Sequence, residues 1–190
     1  MKWELMEENE DGLYSWKTTR EERVIPTLNW EKNWQRVRLK GLGSEVITFL
    51  WKMMHNILPT EARLSRILKN SSADCKQCDI ECIADLVHCL FECICSREVG
   101  VWLLSIFRKY DNEVNPLGLT KLDFNIDGAV EFPLEWILSN SLLFLWNMRQ
   151  KAKISSVFLT RASLEKKIAI LRKTRFSNEL VIIEEILASN

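Results

Sequence analysis

The chain has 190 residues, enough for one domain with appended segments, and 47% of them are apolar, which excludes disorder of the whole chain. Its formal net charge is zero, so overall charge predicts neither a nucleic-acid nor a membrane partner. It has no apolar stretch of membrane-spanning length, and its acidic N-terminus lacks the apolar core of a secretory signal. We therefore expect an intracellular protein, nuclear or cytoplasmic, whose thiols stay reduced.

The first helices are indicated by apolar spacing. Residues 29–41 place Trp30 and Trp34 four residues apart, on one face of a helix. A second helix is expected with Ser44 as its N-cap. Its apolar residues recur at helical spacing and form one stripe: Val46, Leu50, Met53, Met54 and Ile57.

A third helix is expected after Pro59, which cannot continue the second one. Thr60 is a suitable N-cap for it. We expect its apolar residues to face inward: Leu64, Ile67 and Leu68.

Further helices are expected in the second half of the chain. Residues 96–110 show a helical pattern, and residues 111–133 read as irregular and acidic. A long apolar helix is expected over 134–150, and amphipathic helices over 162–174 and 178–188. Because no strand alternation is found, the predicted class is mainly α.

These patterns divide the chain into three parts. Residues 1–28 are an acidic segment that we expect to be poorly ordered. Residues 29–155 are expected to form a small helical domain, and 156–190 a C-terminal helical hairpin or tail.

The most informative stretch is residues 75–95, which hold all six cysteines and one of the two histidines. In a reducing compartment, clustered thiols bind metal more often than they form disulfides. Cys75 and Cys78 form a Cys-x2-Cys pair, and His88 with Cys93 supplies a second pair. Three thiols and one imidazole are a donor set that tetrahedral zinc takes, so the sequence predicts Zn²⁺ at these four residues.

The second ligand pair requires a particular backbone. In an α-helix, residues five apart point about 140° away from each other. We therefore expect the helix to break or tighten between His88 and Cys93, as in a zinc knuckle. Cys89 or Cys95 could take the place of Cys93. Otherwise these two, and Cys82, are typical of small buried apolar residues.

Basic residues concentrate in two places. Residues 29–69 contain eight basic residues against three acidic ones, and residues 149–175 contain nine against one. Such clusters neutralise phosphates in nucleic-acid-binding proteins, but most charge runs are solvated helix faces. The candidate nucleic-acid contacts are Arg36, Arg38, Lys40, Arg149, Lys151, Lys153, Arg161, Lys166, Lys167, Arg172, Lys173 and Arg175.

Several motifs together resemble a known family. FLWKMMHNILPTEARLSRIL (49–68), CKQC, HCLFEC and the following Val-Trp resemble the reverse transcriptase zinc-binding domain, which follows the polymerase in non-LTR (LINE-type) retrotransposon proteins. The positions that match in order are Trp51, His55, Asn56, Leu58, Pro59, Thr60, Leu64, Cys75, Cys78, His88, Cys93 and Trp102. Residues 142–150 resemble a downstream Trp-x2-Arg helix, so the resemblance covers about 30–155. Ala84-Asp85 replaces the usual acidic-Thr pair.

The resemblance implies a zinc-binding accessory domain that holds template RNA or target DNA for a reverse transcriptase domain of the same or a related chain. The sequence contains no polymerase Asp-Asp signature, phosphate-binding loop or nucleophile elbow, so we expect no catalysis by this chain. The alternative is a zinc-stapled protein-interaction module that docks on a polymerase or another partner without contacting nucleic acid.

Overall fold

The computed structural model describes residues 30–39, 41–78 and 81–152, together with residues 162 and 166. In these ranges the helices are α1 (Trp30–Val37), α2 (Ser44–Met54), α3 (Glu61–Ile67), a π turn (His88–Glu92), α4 (Arg97–Arg108), α5 (Pro116–Lys121), a 3-10 turn (Gly128–Val130) and α6 (Glu131–Ala152). The β pairing found in the described ranges is a single bridge between Asp74 and Ile83. The prediction of a mainly α fold is confirmed.

Some of the predicted segments lie outside the described residues. These are the acidic segment 1–28 and, apart from residues 162 and 166, the predicted helices 162–174 and 178–188. None of the helices described for this chain is both long enough and apolar enough to cross a bilayer.

Helix α2 follows its predicted apolar stripe except at Ile57, which lies beyond the end of the helix and is half-buried. Its ends also differ from the prediction. Its buried residues are Val46, Phe49, Leu50, Met53 and Met54. Gly43 occupies the N-cap position and Ser44 is already helical, so the N-cap prediction was wrong by one residue. The helix ends well before Pro59 because Asn56 takes a left-handed backbone with φ of 50°.

Helix α3 begins as predicted and packs differently. The Thr60 hydroxyl accepts a hydrogen bond from the Arg63 backbone N–H at 3.2 Å, which confirms the cap. The inward orientation of Ile67 and Leu68 was wrong, because their side chains are 49% and 51% exposed. The buried face of α3 is centred on Glu61, and Leu68 lies beyond the helix in extended backbone.

The segment between α4 and α6 is more ordered than its composition indicates. Asn115 caps α5 by accepting the Gly118 N–H at 3.0 Å, and Pro116 stands at the first helical position. This Asn-Pro start is a recognised helix signal. The prediction that 111–133 is irregular was therefore wrong for α5 and for the 3-10 turn.

Helix α6 forms the centre of the described fold. It starts three residues earlier than predicted, with Pro133 in its first turn, where the missing N–H costs no helical bond. It contacts α2, α4 and the π turn, and apolar residues from several of its faces are buried. The fully or nearly fully buried ones are Leu134, Trp136, Ile137, Leu138, Leu142 and Leu145.

A buried arginine joins α1 to the start of α6. The Arg36 side chain donates hydrogen bonds to the Glu135 carboxylate and, at 2.6 Å, to the Leu122 carbonyl. Its guanidinium carbon also lies 3.8 Å from the centre of the Phe124 ring. Because Arg36 is only 3% exposed, its prediction as a nucleic-acid contact was wrong.

Gly100 on α4 allows close packing against the π turn, and its substitution is informative. A Cβ at this position would lie 2.7 Å from Phe91 Cα and 2.9 Å from the Leu90 carbonyl oxygen. Glycine to alanine within a helix ordinarily stabilises by about 0.5–1 kcal/mol. Here we expect Gly100→Ala to lower the free energy of unfolding by about 1–3 kcal/mol, because backbone must shift.

Urea denaturation of the variant and the wild type measures this effect. The control is Val101→Ala on the same helix, whose exposed side chain should change stability by no more than about 0.5 kcal/mol. A stabilised Gly100→Ala variant would contradict the close approach of α4 to the π turn.

Candidate metal centre

The first pair of candidate ligands lies on a turn held by the isolated bridge. The Cys75 backbone N–H donates to the Cys82 carbonyl at 2.8 Å, and the Ala84 N–H donates to the Ala73 carbonyl at 2.9 Å. These two bonds close the chain around the Cys75–Cys78 turn. The short Cys-x2-Cys spacing therefore brings two thiols to one side of the turn.

The second pair is brought together by the π turn. The Cys93 backbone N–H donates to the His88 carbonyl at 2.8 Å, an i to i+5 bond. This wider turn places Cys93 over His88, whereas α geometry would point the two apart. The chain therefore widens between the candidate ligands, and the helix ends at Cys93, whose ψ of 139° is extended. The expected break is confirmed, whereas the expected tightening was wrong. Asp85 fixes the start of the turn, since its carboxylate accepts the His88 N–H at 2.8 Å.

The four predicted ligand residues converge. One donor atom from each of Cys75, Cys78, His88 and Cys93 lies within 4.8 Å of all the others. Cys75 Sγ and Cys93 Sγ are 3.7 Å apart, and Cys78 Sγ and Cys93 Sγ are 3.9 Å apart. Cys78 Sγ lies 3.5 Å from His88 Nε2.

These separations fit a tetrahedral zinc ion. With zinc–sulfur bonds of about 2.3 Å and zinc–nitrogen bonds of about 2.0–2.1 Å, tetrahedral geometry spaces two sulfurs about 3.8 Å apart and a sulfur and nitrogen about 3.6 Å apart. The observed distances agree within a few tenths of an ångström. The cluster is therefore a possible metal-binding site whose donor set and spacing are compatible with zinc.

The remaining three cysteines take different positions. Cys93, and neither Cys89 nor Cys95, belongs to the group of four. Cys89 is fully buried, and burial raises the pKa of its thiol to about 12. The Cys95 thiol faces the Gln77 side-chain oxygen at 3.7 Å. These two positions do not support the alternative in which one of them replaces Cys93.

Cys82 is a neighbour of the centre that sequence reasoning missed. Its Sγ lies 3.6 Å from His88 Nε2, close to the distance of Cys78. Burial, together with the adjacent Cys78 thiol, raises the pKa of this thiol to about 11. Spacing in the sequence gives no signal for this position. Cys82 comes close to the centre because its backbone pairs with that of Cys75 across the bridge.

The electrostatics of the four-residue cluster favour one thiolate. Burial raises the pKa of Cys75, but hydrogen bonds from the Gln77 backbone and from His88, with the charge of Arg149, bring it down to about 6. Burial raises the pKa of Cys93, only partly opposed by a backbone hydrogen bond and by Arg149. The Cys75 thiol therefore loses its proton more readily than the Cys93 thiol, whose proton a bound metal would displace.

Arg149 from α6 lies directly against the sulfur atoms. Its Nη1 is 3.3 Å from Cys93 Sγ and 3.7 Å from Cys75 Sγ, and its Nη2 donates to the Glu61 carboxylate at 2.9 Å. Arg149 is 1% exposed, so its prediction as a nucleic-acid contact was wrong. Spacing in the sequence carries no signal for this role, because Glu61 is 88 residues away along the chain.

The other predicted basic contacts divide into two groups. Arg38, Lys151 and Lys166 are exposed on the described surface. Those that lie outside the described residues are Lys40, Lys153, Arg161, Lys167, Arg172, Lys173 and Arg175.

Comparison with known proteins does not identify the function of this site. Comparison with protein-family models, with characterised proteins and with solved structures finds no match for this chain.

Proposed function

We propose that this chain is a zinc-stabilised helical accessory module that binds RNA or DNA beside a polymerase. The observation that carries the proposal is the convergence of Cys75, Cys78, His88 and Cys93, whose donor atoms lie within 4.8 Å of one another. The residues come from two separate segments, so a bound ion would clamp the bridge turn to the π turn. This is the arrangement of a structural zinc site.

The proposal assigns no catalysis to the centre. A catalytic zinc keeps one coordination position for water or substrate, with three protein ligands. Four protein donors would fill the tetrahedral shell of this ion. Three of the four residues are also buried, which limits the approach of a substrate.

Contact with nucleic acid is supported by two features of the sequence. The ordered motif set from Trp51 to Trp102 resembles the zinc-binding domain of non-LTR retrotransposon reverse transcriptases. Basic residues also remain on the described surface, at Arg38, Lys151 and Lys166, although burial removes Arg36 and Arg149. We infer that the exposed cations contact phosphates and set a salt-dependent affinity.

Binding to a single-stranded RNA and to a DNA duplex, measured across a salt series, tests this function. We expect zinc-loaded protein to bind at low salt, with the logarithm of affinity falling linearly with the logarithm of salt. In the double variant Arg38→Gln/Lys151→Gln the slope should fall by about one for each phosphate that the protein no longer neutralises.

The matched control removes two other exposed cations, in Arg97→Gln/Lys109→Gln on α4 and its C-cap. Because neither belongs to the predicted contact set, this variant should keep the wild-type slope. Equal slopes in the wild type and both variants would refute these contacts. Loaded protein that binds neither nucleic acid at low salt would refute the nucleic-acid function.

A second candidate retains the zinc and replaces nucleic acid with a protein partner. It is favoured by large apolar side chains exposed on the described surface: Trp51, Ile67, Leu68, Ile94 and Val101. Stable complex formation between the loaded chain and a polymerase fragment, without nucleic acid, would support this candidate.

A further inference from the structure

Arg149 has an environment unlike that of a solvated or purely structural cation. Its guanidinium group is buried and touches two of the four proposed ligands, Cys75 and Cys93. Both terminal nitrogens are used, since Nη2 donates to Glu61 and also lies 3.7 Å from Cys75 Sγ. Its Nε has no hydrogen-bond partner among the described residues, so the terminal nitrogens carry its polar contacts.

A zinc-bound centre would be negatively charged, and the positive charge of Arg149 would offset that charge. Zinc with three thiolates and one neutral imidazole carries one net negative charge. Burying that charge is costly unless a positive group offsets it. Arg149 lies on the sulfur side, and a guanidinium group is not deprotonated in proteins, so it supplies this positive charge.

Glu61 and Thr60 fix the orientation of this cation. Glu61 is the first residue of α3, and the Thr60 cap sets where that helix begins. The carboxylate holds Nη2 at 2.9 Å and leaves Nη1 directed at Cys93 Sγ. Arg149 therefore belongs to α6 and is oriented by Glu61 on α3. The sulfur atoms that it contacts lie on the bridge turn and at the end of the π turn.

We propose that Arg149 is a positioning residue of the metal centre: it donates N–H···S hydrogen bonds to Cys75 and Cys93, offsets the charge of the loaded site and so sets how tightly the metal is held. The inference rests on the proposed zinc site. Groups that hydrogen-bond to metal ligands typically contribute 10–100-fold to metal affinity, which defines the expected effect.

The chain supplies a matched control for the loss of a buried arginine. Arg36 is also buried and also paired with a buried glutamate on α6, Glu135. The structure records no sulfur contact for Arg36 in the described part of the chain. Glu135 precedes Arg149 by 14 residues, about 21 Å along the helix axis.

The experiment compares Arg149→Met and Arg36→Met in the full chain. Zinc affinity is measured by competition with a chromophoric chelator, and Co²⁺ replaces zinc to report on the sulfurs through its sulfur-to-metal charge-transfer absorption. We expect Arg149→Met to weaken zinc binding by about 10–100-fold. Its Co²⁺ band should move to longer wavelength, because thiolates without N–H donors release electron density more readily.

Arg36→Met should lose stability yet keep zinc affinity within about twofold, with an unchanged Co²⁺ band. Glu61→Gln keeps the guanidinium group of Arg149 but removes the carboxylate that orients it. This variant should weaken zinc binding and move the Co²⁺ band to longer wavelength, each by less than Arg149→Met does. This variant decides the question if Arg149→Met fails to fold.

The outcomes separate this inference from the proposed function. Wild-type protein that holds no metal refutes the zinc site itself, and the inference with it. Wild-type protein that holds zinc, with Arg149→Met and Glu61→Gln unchanged in affinity and spectrum, overturns the role of Arg149 alone. Equal shifts in Arg36→Met and Arg149→Met also overturn it, because they would report general destabilisation.

Discussion

Replacing Cys75 by serine is expected to abolish stoichiometric zinc binding and the cooperative unfolding transition of the domain. Cys75 belongs to the group of four proposed ligands, and its backbone closes the bridge turn. Structural zinc sites contribute about 10–16 kcal/mol of apparent binding free energy in small domains, as much as the whole stability of many proteins, about 5–15 kcal/mol. Metal content by mass spectrometry and thermal unfolding by circular dichroism measure the two effects.

The control for this substitution is a cysteine of the same cluster that supplies no ligand. Cys89→Ala and Cys95→Ala each remove a buried thiol outside the group of four. Both should retain one zinc per chain and unfold cooperatively, at somewhat reduced stability. Loss of zinc in either control, together with its retention in Cys75→Ser, would show that the ligand set is wrong.

His88→Ala is expected to keep its metal, unlike Cys75→Ser. Cys82 Sγ lies only 3.6 Å from the imidazole nitrogen that would bind the ion, so it can take the vacated position after a small shift. The resulting site has four thiolates. The Co²⁺ charge-transfer band should therefore be more intense than in the wild type, with affinity moderately reduced.

The double variant His88→Ala/Cys82→Ser removes both donors and should hold no stoichiometric zinc. Cys82→Ser alone should bind like the wild type, because Cys82 lies outside the group of four. Complete loss of metal in the single His88→Ala variant would show that Cys82 cannot serve as a ligand.

The candidate metal centre could be predicted from the sequence because its four residues lie close together along the chain. Cys-x2-Cys spacing specifies a tight turn, and all four ligands lie within residues 75–95. The α2 stripe and the Thr60 cap are likewise short-range patterns, and both appear in the structure. The π turn was only partly anticipated: spacing required a departure from α geometry but did not specify its kind.

The two buried arginines were misassigned because their partners are distant in sequence. Each belongs to a basic run that resembles a solvated helix face. The partners that bury them, Glu135 and Glu61, lie 99 and 88 residues away. A count of charges contains no information on such pairing, so the basic surface was overestimated by two residues.

The π turn also makes the chain sensitive to its own length. One residue inserted between His88 and Cys93 would place these positions six apart, about 120° from each other around an α-helical axis, and would carry the last sulfur away from its partners. Side chains there can vary in size and polarity with graded consequences, whereas we expect a one-codon insertion to have an all-or-none effect. Among natural variants of this chain, we expect the number of residues between His88 and Cys93 to be more constrained than the identity of the residues that lie there.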